Sequence, residues 1–203
     1  MTIRKVVAVG GVPGCGKSTL LKRLYQRLQA RCGPEYTNTD MQLAPLLVGS
    51  QFAVPNKKIL YFMLGVGYHS DDMKFPGTDM LSMAVQPEAV KFLQRLEDEP
   101  MVNASVLFEG DRLFNNSFLT TVEEMVGDRL SVVFLNCSEE VLKARRGGRE
   151  DTQTPEFHKS RMTKYRNIEM NLSLMSLITR LPNNTDAHFD RNVIFLEQEM
   201  VNG

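Results

Sequence analysis

A glycine-rich octapeptide, Gly11-Val12-Pro13-Gly14-Cys15-Gly16-Lys17-Ser18, stands between two segments of different periodicity and narrows the folds open to this chain. The segment before it, Ile3 to Val9, is short and β-branched and runs straight into the glycines, as a buried parallel strand does when it opens an α/β domain. The segment after it, Ser18 to Arg31, places Leu20, Leu21, Leu24 and Leu28 at helical spacing until Gly33-Pro34 stops the pattern. Strand, glycine turn and helix in this order form the unit that cradles phosphates.

The octapeptide matches G-x-x-x-x-G-K-[ST], the P-loop or Walker A pattern. Gly11, Gly14 and Gly16 let backbone N–H groups turn inward, and the helix N-terminus adds a dipole favourable to anions. Cys15 occupies a variable position, where it fills the loop. Cys15 and Thr19 complete the stretch expected to contact a nucleoside triphosphate. Lys17 is expected at the β and γ phosphates and Ser18 on Mg²⁺, with ATP as the donor.

The remaining pattern alternates strands and helices. Glu35 to Thr39 reads as a second strand ending at Asp40, and Lys58 to Leu64 as an ambiguous strand or hairpin arm. Ala104 to Phe108 and Leu130 to Leu135 are apolar runs of strand length, and Asn192 to Leu196 reads as a last strand. Helices are expected over Pro87 to Glu97, Ser117 to Met125, Ser138 to Arg146 and Pro155 to about Arg180. The expected fold is an α/β P-loop NTPase three-layer sandwich with a doubly wound parallel sheet and an Arg-rich lid. The 203 residues contain no repeat and no Gly/Ser/Pro-rich linker, so residues 1–203 read as a single domain.

Lys plus Arg and Asp plus Glu number 24 each, so strong sequence-independent attraction to a polyanion is not expected. The charges are segregated, however. Residues 1–31 are basic with no acid, Asp71 to Asp128 is mainly acidic, and basic residues return from Lys143 to Arg180, so two basic regions could flank one anionic ligand. Cys15, Cys32 and Cys137 have no paired zinc spacing and suggest a reducing, cytoplasmic setting. No export signal is visible, and no window approaches the ~20 apolar residues of a membrane span.

A P-loop serves switches, motors and kinases. Thr163-Lys164-Tyr165-Arg166 begins a guanine-reading signature but ends in Arg, and no Asp-x-x-Gly switch follows a strand, which disfavours a GTP switch. The chain is too short for most motors. A kinase needs an acceptor-orienting base and cations on the phosphates. Asp40 is expected to be that base at the end of strand two, or an N-cap for a helix starting near Met41, or both.

Val106-Leu107-Phe108-Glu109-Gly110-Asp111-Arg112 places Glu109 where a Walker B acid holds the water shell of Mg²⁺, with Asp111 and Arg112 extending the polar cluster. Arg145, Arg146 and Arg149, around Gly147-Gly148, suit a lid that brings guanidinium groups onto the transferring phosphoryl, with Arg145 also on the nucleotide. Arg161, Lys164 and Arg166 are placed to touch nucleotide or acceptor. The segment Gly65 to Ser82 lacks periodicity, and its Thr78 and Asp79 are candidate acceptor contacts. Asp71 and Asp72 read as solvated and His69, His158 and His188 as incidental. Methionines such as Met80 and Met83 read as fillers of core or pocket gaps.

With these residues in place, the chain resembles the nucleotide and polynucleotide kinases of the P-loop class over nearly its whole length. Phe75-Pro76-Gly77-Thr78-Asp79-Met80-Leu81-Ser82-Met83 and Arg161-Met162-Thr163-Lys164-Tyr165-Arg166-Asn167-Ile168 are similar to strings of bacteriophage 5-hydroxymethyluracil DNA kinases of thymine hypermodification. The resemblance implies transfer of the ATP γ-phosphoryl group to the hydroxymethyl oxygen of a modified pyrimidine in DNA, in the host cytoplasm. Base flipping would then be an option, with Gly65 to Ser82 as the contact loop. A nucleoside or nucleoside monophosphate kinase acting on free nucleotides remains the alternative, as does a non-catalytic nucleotide-dependent binding module.

Overall fold

The computed structural model describes residues 2–72, 76–99, 103–147 and 155–203. Seven strands form one sheet: β1 (Thr2–Gly10), β2 (Thr37–Ala44), β3 (Leu47–Ala53), β4 (Ile59–Leu64), β5 (Asn103–Glu109), β6 (Leu130–Asn136) and β7 (Ile178–Pro182), in the order β2-β3-β4-β5-β1-β6-β7. Strands β4, β5, β1, β6 and β7 are all parallel, whereas β3 runs antiparallel to both β2 and β4. Among the described residues there are six α-helices: α1 (Lys17–Cys32), α2 (Val85–Asp98), α3 (Asn116–Val126), α4 (Glu139–Gly147), α5 (Pro155–Glu169) and α6 (Asp186–Asn202).

The alternation of side chains along β1 builds two cores. Ile3, Val6 and Ala8 pack with Phe92 of α2, Phe118 of α3 and Tyr165 of α5, while Val7 and Val9 pack with Leu24 of α1 and Leu196 of α6. Central strands with both faces covered must be apolar throughout, and β5 is buried from Ala104 to Glu109. The expected three-layer α/β arrangement is therefore present, with the P-loop at the exit of β1, between β5 and β6.

The edges depart from the sequence reading. Asn192 to Leu196 is not a strand but the middle of α6, whose buried Asn192, Val193, Leu196 and Met200 follow helical spacing. The last strand is β7, which begins within the stretch expected to be helical to about Arg180 and runs on to Pro182, while α5 ends at Glu169. It is a half-exposed edge strand and carries little apolar signal. The second strand does not stop at Asp40 but runs on to Ala44 and turns into β3, which the sequence reading missed. Lys58 to Leu64 contains a full strand, β4, beside β5. Met80 and Met83 are exposed and fill no gap.

Candidate active site

The P-loop leaves β1 and enters α1 through Gly16, whose φ of 93° lies in the left-handed region that a side chain would resist. Its backbone is held from the β6 and β7 side. Asn183 Nδ2 donates to the Cys15 carbonyl at 2.7 Å, and Arg145 Nη1 and Cys137 Sγ reach the same oxygen at 3.3 and 3.6 Å. The Cys15 side chain is fully buried, as expected of a loop filler. Arg145 of α4 thus lies against the phosphate loop, where a cofactor contact was expected. Arg149 lies outside the described residues.

Lys17 Nζ donates to the Gly11 carbonyl at 2.6 Å. Burial works against its charge, but Cys15, Tyr165, Glu109 and Asp111 together hold the pKa above the ordinary lysine value. Ser18 Oγ donates to Glu109 Oε1 at 3.3 Å, so the start of α1 meets the end of β5. Burial pushes the Glu109 carboxyl up to about 7. Lys17 and the Ser18 hydrogen bond oppose that shift, while Asp79 and Asp111 reinforce it. Thr19 is exposed one residue further on.

The irregular segment after β4 folds back onto this acid. Val66 and Gly77 form an antiparallel bridge, which sets Thr78–Met80 as a 3₁₀ turn beside the β5 exit. Thr78 is buried and its hydroxyl donates to the Glu109 carbonyl at 2.6 Å, so it supports the acid from beneath. Asp79 Oδ1 accepts the Asp111 N–H at 2.6 Å. A Cβ on Gly77 would collide with Glu109 Oε1, and one on Gly110 would meet Thr78 Oγ1 at 2.7 Å. The sequence marks this segment only by its lack of periodicity, and the glycine contacts have no signature of their own.

Helix α5 covers the other side. Arg161 pairs with Asp111, and Lys164 Nζ binds the same carboxylate at 3.1 Å and its carbonyl at 2.9 Å. Burial lowers the Lys164 pKa while Asp111 holds it up. Arg112 turns away and donates to the Leu81 carbonyl at 3.3 Å. Next to the P-loop, Val12, Pro13, Phe134, Leu142, Met162 and Tyr165 line a cleft of about 450 Å³ between α4 and α5.

Asp40 is the main departure. No helix begins at Met41, so it caps none; it sits in a bulge of β2 with φ at 45°. Its carboxylate accepts the Gly67 N–H at 3.0 and 3.2 Å and lies 3.5 Å from His69 Nδ1, so His69 is not incidental. Asp40 therefore pins the loop that follows β4. Asp71 and Asp72 are exposed as expected, whereas the side chain of His158 lies outside the described residues.

Among the described residues, no group of three or more His, Cys, Asp or Glu is arranged to hold a metal, and no helix is long and apolar enough to cross a membrane. The donor set nonetheless suits Mg²⁺, which takes one or two protein oxygens and completes its shell with phosphate and water. Ser18 and Glu109 supply such oxygens. No protein-family model matches the chain, and no curated protein matches it. Among solved structures, a gluconokinase from Sinorhizobium meliloti 1021 is similar to it at 14% identity, with 97% of each chain covered and a TM-score of 0.40.

Proposed function

We propose that this protein is an ATP- and Mg²⁺-dependent P-loop kinase that transfers the γ-phosphoryl group to a hydroxyl. The observation that carries the reading is the meeting of Lys17 and Ser18 with Glu109, an acid at the exit of the neighbouring buried strand. Phosphoryl transfer asks a protein chiefly to position groups and neutralise charge. The P-loop N–H groups and Lys17 hold the phosphates, Arg145 adds a guanidinium beside the loop, and Ser18 and Glu109 hold the metal ion. Mg²⁺ supplies charge neutralisation on the phosphate oxygens.

For the acceptor, one observation favours a small compound and another favours DNA. Asp40 and Asp79 leave two carboxylates with no lysine or arginine partner among the described residues on the side after β4, a poor surface for a polyanion. That supports a free nucleoside or nucleotide. The two strings that resemble the phage kinases, around Thr78-Asp79 and Arg161 to Lys164, converge on Asp111, which supports 5-hydroxymethyluracil in DNA as the second reading.

The test is transfer of labelled γ-phosphate from ATP with Mg²⁺ to 5-hydroxymethyluracil DNA, thymine DNA, free pyrimidine nucleosides and monophosphates. Label on a free compound establishes the small-molecule kinase, and label only on hydroxymethylated DNA establishes the second reading. Tight ATP binding with no label on any hydroxyl would leave a nucleotide-dependent binding module.

A further inference from the structure

Asp40 was the expected acceptor base, yet the geometry points to a different carboxylate, and we infer that Asp79 receives the proton of the attacking hydroxyl. The inference rests on the kinase reading. Four carboxylates surround the acceptor side, and three are committed elsewhere. Glu109 is buried, accepts from Ser18 and belongs with the metal ion. Asp111 is held by Arg161 and Lys164, which neutralise it and engage its oxygens. Asp40 spends both oxygens on the Gly67 N–H and lies beside His69.

Asp79 differs from all three. Its Oδ1 is fixed by the Asp111 N–H at 2.6 Å, which sets the direction of the carboxylate. Among the described residues, its Oδ2 has no hydrogen-bond partner, and the residue is exposed. It packs on Gly110, so close that a Cβ there would stand 3.1 Å from Oδ1, and Gly110 directly follows the metal-binding acid. Its charge reaches both Glu109 and Lys164. An oriented carboxylate with one open oxygen beside the metal acid is what alignment of an acceptor hydroxyl requires.

In the step itself, the acceptor oxygen forms a bond to the γ-phosphorus as the bond from that phosphorus to the β,γ-bridging oxygen of ATP breaks. ADP leaves with that electron pair, and the hydroxyl proton passes to Asp79 Oδ2 and then to water. Asp40 becomes a positioning residue that fixes Gly67, and through the Val66 and Gly77 bridge the turn that carries Asp79.

Asp79→Asn keeps an oxygen for the Asp111 N–H and removes only the base, so it separates catalysis from folding. With the acceptor that the wild type phosphorylates, kcat is expected to fall about 100-fold or more, with ATP affinity and acceptor KM within about threefold of wild type. In Asp79→Ala, added formate is expected to restore part of kcat. A kcat for Asp79→Asn within about threefold of wild type, or a kcat for Asp79→Ala indifferent to formate, overturns the assignment while the kinase reading stands. If the wild type phosphorylates no hydroxyl, the kinase reading falls and the assignment with it.

Discussion

Glu109 and Asp40 have the same standing in the sequence: each is an acid at the apparent end of a strand in an α/β pattern. Glu109 ends β5, which is flanked by β4 and β1 and covered on both faces, so its carboxylate is buried beside Ser18. Asp40 lies on β2, the outermost strand of an antiparallel hairpin, where a bulge turns it toward the loop after β4. A strand's place in the sheet thus decides what the acid at its end meets: the P-loop serine for Glu109, a loop backbone N–H for Asp40.

The comparison breaks most sharply at the β5 side. Lys17→Ala removes the cation that the proposed kinase would set against the phosphates, and kcat is expected to fall by about 100- to 1,000-fold in the labelled-phosphate assay. If Asp40→Asn did as much damage, the contrast between the two sides would collapse.

Glu109→Gln is expected to lower kcat by about 10- to 100-fold and to raise the Mg²⁺ needed for half-maximal rate. Its stability should move the other way. The folded carboxyl titrates near 7 and the unfolded one near 4.5, so the ionised group opposes folding by about 3 kcal/mol above pH 7. That penalty fades as pH falls from 7 and is absent below 4.5. Urea melts without ligand should therefore find Glu109→Gln more stable than wild type at pH 8 and equal to it at pH 4.

Gly77→Ala sharpens the comparison, because Gly77 belongs to the irregular segment yet touches the β5 acid. Its φ of 112° suits glycine, and the added methyl would meet Glu109 Oε1. A loss of about 1–3 kcal/mol in urea melts and a lower kcat are expected. Asp40→Asn should have the smallest effect, less than tenfold in kcat and about 1 kcal/mol in stability, because Asn tolerates the positive φ and keeps an acceptor for Gly67.

Legibility followed burial. The residues of β1, β5 and β6 carry apolar runs because both faces of their strands are covered, and the sequence reading placed all three. It swapped α6 and β7 for the same reason in reverse. The run Asn192 to Leu196 is apolar enough to pass for a strand, while β7 is an edge strand too exposed to stand out. In the candidate site, Lys17, Ser18 and Glu109 stand where a loop motif and a strand end place them locally, whereas Arg145 meets the loop only through its long-range contact with Cys15. Asn183, Gly77 and His69 were not legible, because each acts through contacts with residues far away in the chain.

By itself, the sequence determined the glycine-rich loop between β1 and α1, since glycines that permit positive φ, a lysine and a helix start are local properties of one short stretch. It also determined the buried strand whose end carries Glu109, because a strand covered on both faces must be apolar throughout. Tertiary structure alone decided which acids meet that loop. That choice depends on strand order and on a long loop folding back through a single backbone bridge, and neither leaves a local pattern.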